Sequence, residues 1–265
     1  SYTTFQLDKR ACIPSLRSPA GVRRFDLTGV EEVAIIKPGR IPKDVRVQAK
    51  LMDSEMLSRA AEDIEKAYKD ISSHILVARR FQITSPNIYW LAFFDEKPVL
   101  NTAVLLNPKI DAEKDWIKVL TLYLNSSISI LQLLAFCVET RGSWVDLHGD
   151  QVWSNIHVPD YRHTSMEQKL VALKLFDKIS CCEEGVKPLF ERITSRDELQ
   201  RKIDVVALQI TGLEDFIPKL DEIYEALEQE LTIMHKILER SRRLKSKRRG
   251  MLKSRRAQTS LNQHI

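Results

Sequence analysis

Residues 116–169 read WIKVLTLYLNSSISILQLLAFCVETRGSWVDLHGDQVWSNIHVPDYRHTSMEQK, and the order of elements in this stretch decides the fold. A helix predicted over Asp111–Leu124 turns Trp116, Leu120 and Tyr123 to one side. It runs into Asn125-Ser126-Ser127, residue types that end one helix and cap the next. The segment Ser127–Val138 is apolar nearly all round, which predicts a helix buried on every side. Thr140-Arg141-Gly142-Ser143-Trp144 then reads as a turn, followed by a short segment ending in Val158-Pro159. A new helix opens at Ser165-Met166-Glu167-Gln168, where Ser165 and Gln168 make a capping box.

Upstream of this stretch the pattern changes to strands. Ile75–Thr84, Ile88–Phe94 and Val99–Leu106 are rich in β-branched and aromatic residues. Ser85-Pro86-Asn87 and Asp95-Glu96-Lys97-Pro98 separate them, and links this short favour antiparallel pairing. Residues 1–50 are interrupted by Pro14, Pro19, Pro38 and Pro42, and Val33–Lys37 is the one strand predicted there. Asp53 or Ser54 can cap a helix with Leu57, Ala60, Ala61, Ile64, Tyr68 and Ile71 on its apolar face.

Downstream the chain is wholly helical. Ser195 and Glu198 predict a second capping box, and the helix after it aligns Leu199, Ile203, Val206 and Ile210 before Gly212 stops it. Pro218 suits the first turn of a long final helix. Its apolar positions, Leu220, Ile223, Leu227, Leu231, Met234 and Leu238, form nearly a heptad seam. Such a seam can pack on its own domain or support helix-mediated self-association; its short length favours the former. The expected class is α+β, with a mostly antiparallel sheet domain over residues 1–163, a helical region over 164–249 and a basic, polar tail over 250–265.

With 43% hydrophobic residues in 265 the chain can bury a normal core. The net charge of +5 is unevenly spread: Lys236–Arg256 holds eleven Lys/Arg against Glu239, a net of +10, which leaves −5 elsewhere. A nucleic-acid contact on the body must then rest on a local patch. The absence of a run of eighteen apolar residues argues against a membrane span. Cys12, Cys137, Cys181 and Cys182 form no C-x-x-C pair and read as reduced thiols, the pattern of a cytoplasmic protein. The first residues, Ser1-Tyr2-Thr3-Thr4, lack the layout of a signal peptide and an initiator Met, as expected of a fragment of a longer protein.

No G-x-G occurs among the eight glycines, so the sequence offers neither a dinucleotide fingerprint nor a phosphate-cradling loop. No Pro-Pro dipeptide is present, which removes the base-holding motif of amino-methyltransferases, and no His pair has metal-ligand spacing. Pro159-Asp160 with Glu167-Gln168-Lys169 superficially matches a nuclease pattern, but an acid in the first turn of a capped helix is expected anyway. Catalytic and metal-ligating residues are therefore expected to be lacking here.

Four pieces in order, His74-Ile75-Leu76-Val77-Ala78-Arg79-Arg80, Leu124-Asn125-Ser126, Thr140-Arg141-Gly142-Ser143-Trp144 and Ile193-Thr194-Ser195-Arg196-Asp197-Glu198, carry a resemblance. The chain resembles the C-terminal target-recognition region of DNA adenine-N6 methyltransferases, and is similar to Taq-type enzymes and type I restriction specificity subunits. The likeness covers roughly residues 70–240, and departs from the family at Ala78, where Pro is usual, and in the basic tail. It implies a reader of double-stranded DNA in restriction-modification or phage defence. It also implies an N-terminal catalytic domain or methyltransferase subunit as partner, with S-adenosylmethionine bound there and no cofactor in this chain. The rival readings are a scaffold or oligomerisation segment and a stand-alone specificity subunit.

Candidate DNA contacts follow from residue chemistry. Arg79 and Arg80 are adjacent on a predicted strand and face opposite ways; Arg79 shares its face with Ile75, Val77 and Phe81, leaving Arg80 to reach outward. Arg141, Gly142 and Ser143 offer a guanidinium, a pliant backbone and a hydroxyl in one loop, suited to phosphate oxygens. Arg242, Arg243, Lys247 and Arg248 could hold phosphates without sequence preference. Trp90, Trp116, Trp144 and Trp153 read as core, and Asn125 and Ser126 as structural.

Overall fold

The computed structural model describes residues 12–30, 32–35, 72–101, 104–140, 144–147 and 150–261. The helix predicted from Asp53 or Ser54 lies outside the described residues, as does the Arg141–Ser143 loop. Of the cations assigned to the final helix, Arg243 is described in full; the side chains of Arg242, Lys247 and Arg248 are not.

The strands are β1 (Cys12–Leu16), β2 (Glu32–Ile35), β3 (Ser73–Ala78), β4 (Arg80–Phe81), β5 (Ala92–Asn101), β6 (Leu105–Leu106), β7 (Val138–Thr140) and β8 (Trp144–Asp146). The helices are α1 (Lys114–Leu124), α2 (Ser127–Phe136), α3 (Asp150–Trp153), α4 (Met166–Ile179), α5 (Leu189–Thr194), α6 (Glu198–Ile210) and α7 (Leu220–Leu261), with a 3₁₀ turn over Glu214–Lys219. The class is α+β. A five-stranded sheet of order β2-β1-β5-β3-β6 is antiparallel except at β1–β5, which are parallel, and a three-stranded antiparallel sheet has order β4-β8-β7.

The predicted strand Ile75–Thr84 is divided between these sheets. Arg79 sits at the break: its N–H donates to Val104 O (2.9 Å), and its carbonyl accepts from Leu147 N (2.8 Å). The other two predicted strands merge at their facing ends into β5. Asp95–Pro98, expected as a turn, bulges inside that strand, so that pairing passes from Ile75↔Phe94 to Ser73↔Val99. A bulge supplies the irregular place that a proline needs within a strand. Phe25, Trp90, Phe94 and Phe176 tie sheet to helices through edge-to-face contacts, with centroids 4.6 Å apart for Phe25–Trp90, 5.3 Å for Phe25–Phe176 and 5.6 Å for Phe94–Phe176.

Trp116, Leu120 and Tyr123 on α1 are buried, as their spacing predicts. Asn125 and Ser126 serve structure. Asn125 Oδ1 accepts from Leu91 N (2.8 Å) and Ala92 N (3.1 Å), its Nδ2 donates to Ala92 O and Thr121 O, and Ser126 Oγ caps α2 by accepting from Ser129 N. A second buried group joins α2, α6 and α7: Asp204 Oδ1 accepts from Ser127 N (2.6 Å) and Gln200 Nε2 (3.2 Å), and its Oδ2 accepts from the Tyr224 hydroxyl. Burial raises the Asp204 carboxyl above its ordinary range, against these hydrogen bonds.

Helix α2 is not enclosed on every side. Ile130 and Leu133 are buried, but Leu131 is 37% and Phe136 45% exposed. An apolar composition around the whole helix does not itself supply neighbours around the whole helix.

The Ser165–Gln168 capping box forms in full. The second box does not: Ser195 ends α5, and Asp197 caps α6 by accepting from Leu199 N. Arg196 between them takes φ 51°, and the Asp197 N–H reaches back to Arg192 O (2.9 Å). This C-terminal motif uses the residues that a capping box would have needed. Gly212 stops α6 as predicted, at φ 69°. Pro218 lies in the 3₁₀ turn preceding α7, and α7 continues to Leu261, through the segment expected as a tail. Its seam packs on its own domain: Leu220, Leu227, Leu231 and Met234 are buried, Ile223 is half-buried against the same core, and Tyr224 beside it is buried as well. Among the described residues no single helix is long and apolar enough to cross a membrane.

Candidate nucleic-acid interface

The small sheet positions the first candidate. Phe81 on β4 and Val145 on β8 point into the core, so their neighbours Arg80, Trp144 and Asp146 point the other way. Arg80 pairs across the ladder with Asp146, and its guanidinium lies over the Trp144 ring, 5.7 Å from the centroid. Trp144, expected in the core, is 37% exposed; Trp90 and Trp116 are buried, and Trp153 is half-buried against the core. The sequence held one usable signal: strict alternation about Val145 places Trp144 on the outer face together with Asp146.

Arg80 is 3.9 Å from Asp146 Oδ2, with 56% of its side chain exposed. An exposed ion pair this long is worth at most about 1 kcal/mol, so a phosphate can compete for the cation. Thr140 on β7 pairs with Trp144 on β8, and Arg141–Ser143 is the stretch linking that pair. Arg80, Trp144 and both ends of the Arg141 loop therefore belong to one small sheet.

The basic residues of α7 belong to a different element. Arg243 is well exposed and 3.7 Å from Glu239, the acid four residues earlier. The segment Lys236–Arg256 is helical, about 30 Å long at 1.5 Å per residue.

The residues of the superficial nuclease pattern are occupied elsewhere. Arg162 donates to Asp160 (2.8 Å), with His163 also against it, and holds its carboxyl well below the usual range. Lys169 pairs with Glu113 at 3.2 Å. Among the described residues, no three His, Cys, Asp or Glu side chains are grouped to share a metal ion.

No family model matches the chain, and no curated protein matches it. Among solved structures, it is similar to the type IIG restriction endonuclease BpuSI, with a TM-score of 0.45 and 15% identity. The match covers 80% of this chain and 26% of that one, so this chain spans about a quarter of that protein's length.

Proposed function

We propose that this chain is the DNA-reading part of a site-specific DNA adenine-N6 methyltransferase of a restriction-modification or phage-defence system. The observation that carries the reading is Arg80 on exposed Trp144, on the same small sheet that holds the ends of the Arg141-Gly142-Ser143 loop. Phosphate contacts set the register of a protein on a duplex, and groups beside them read base edges. A loosely paired arginine, an exposed indole and a loop with a second arginine suit that division of work. The motif order from His74 to Glu198 supports the same reading.

Methyl transfer itself belongs to a catalytic domain or subunit outside these residues, with S-adenosylmethionine bound there. That partner extracts the target adenine from the stack, while this chain grips the flanking duplex. The scaffold alternative draws less support, since the α7 seam from Leu220 to Met234 is already spent on its own domain. Repeated selection from a random duplex pool tests the proposal. A reader enriches one defined site, and Arg80→Ala with Trp144→Ala abolishes the enrichment. Binding without enrichment, or turnover of labelled S-adenosylmethionine by the chain alone, contradicts it.

A further inference from the structure

Helices α4 and α6 lie antiparallel, with Gln168 near the start of α4 donating to Gln209 O at the end of α6 (2.7 Å). A groove of about 610 Å³ runs between them. Its floor is apolar: Val171 and Leu175 come from α4, Val205 and Val206 from α6. Val171 is 41% exposed, and Leu170 beside it is also exposed. Lys174 and Lys178 line one bank, Arg201 and Lys202 the other. The groove follows α6 from Glu198 to Gln209, about 16 Å at 1.5 Å per residue, or three helical turns.

The charges on the two banks differ in how they are used. Arg201 is paired with Asp221 (3.0 Å) and Lys202 with Glu198 (2.6 Å). Lys174 makes no ion pair with a described residue, and Lys178 feels only the more distant charge of Glu198, the carboxylate that Lys202 holds. The lining thus holds four cations and one acid, on a chain whose net charge outside Lys236–Arg256 is −5.

We infer that this groove docks an acidic amphipathic helix of a partner protein, its apolar stripe on Val171, Leu175 and Val205 and its carboxylates on Lys174 and Lys178. A helix seated between two helices meets rows spaced three and four residues apart, as Val171, Lys174, Leu175 and Lys178 are. Nucleic acid fits less well, because a phosphate backbone leaves the valine floor unused. A second copy docking through the same face would set its lysines against these lysines. The inference uses none of the residues assigned to DNA and stands apart from that reading.

The test uses the full chain and a fluorescein-labelled 18-residue helical peptide with Leu at i, i+3, i+4 and i+7, flanked by Glu. A matched peptide with Lys replacing Glu is the control. Anisotropy titrations are expected to show saturable binding of the Glu peptide, at least tenfold weaker binding of the Lys peptide, and weakening with salt. Val171→Asp, and separately Lys174→Glu with Lys178→Glu, reduce affinity for the Glu peptide at least tenfold while thermal unfolding stays unchanged, since these side chains are on the surface. Equal binding of both peptides, or indifference to both sets of substitutions, overturns the inference. Full displacement of the Glu peptide by a DNA duplex reassigns the groove to phosphate. A dimer that Val171→Asp dissociates reassigns it to a second copy, and either result also overturns the inference.

Discussion

The hydroxyl of Tyr224 on α7 donates a 2.6 Å hydrogen bond to Oδ2 of Asp204 on α6, and neither side chain reaches solvent. With Ser127 N and Gln200 Nε2 on the other carboxylate oxygen, this contact ties α2, α6 and α7 into one unit. Tyr224→Phe leaves a buried carboxylate oxygen without a donor. The expected loss is about 1–3 kcal/mol in urea unfolding. An unchanged midpoint would show the contact to be energetically idle.

The same carboxyl predicts a pH dependence. Burial raises the folded-state pKa of Asp204 above its unfolded value, so its contribution to stability is fully present below about pH 4 and is lost as pH rises through the folded value. In Asp204→Asn, Oδ1 keeps its two donors and Nδ2 can donate to a rotated Tyr224 hydroxyl. The variant therefore gains on the wild type as pH rises above about 4. Parallel stability profiles from pH 4 to 8 would contradict this.

Arg192 is fully buried on α5, stacked 3.8 Å from the Trp90 centroid, and donates to Tyr89 O at 2.8 Å. Burial pushes its pKa down to about 9, opposed by Asp197 and Asp204. Lysine retains the charge but loses the planar stack, whereas methionine fills the space without a charge to bury. Arg192→Lys is expected to be the more damaging change, costing about 3–5 kcal/mol as a buried charge without its partners. Arg192→Met costs about 1–3 kcal/mol for the orphaned carbonyl. Chemical denaturation of both variants decides the order, and the reverse order refutes the account.

How far residues could be read before the structure depended on whether their partners were local. The Ser165 box and the stop at Gly212 depend on neighbours within one turn, and both form. The inward face of α1 follows from its own periodicity. What sequence could not show was long-range: which sheet takes Arg80, how Asp95–Pro98 bulges against β3, and how little covers Leu131 and Phe136. An indole is usually more valuable inside, and Trp144 departs from that expectation because it pairs with Thr140 across β7 and β8 and alternates with buried Val145, which puts it outside. Arg80 emerges exposed, as expected.

The half-covered state of α2 has its own consequence. Leu133 is buried and Leu131 partly exposed on the same helix. Leu133→Ala is expected to cost about 2–5 kcal/mol through lost burial and cavity formation, and Leu131→Gln within about 1 kcal/mol. Equal losses by thermal or urea unfolding would mean that α2 is enclosed after all.

The most direct measurement of the central claim is duplex binding by the chain ended after Glu239, which keeps the buried part of α7 and removes most of its cations. Anisotropy over a salt series gives affinity and slope together, each neutralised phosphate contributing roughly 0.9 to the slope on B-DNA. The account predicts weak binding with a shallower slope than the full chain. Arg80→Ala or Arg141→Ala should each remove about 1.5–3 kcal/mol, the worth of a charge-assisted hydrogen bond to phosphate, and lower the slope further. No binding by the shortened chain, or affinity and slope indifferent to both arginines, would contradict it and leave DNA attraction to the basic end of α7 alone.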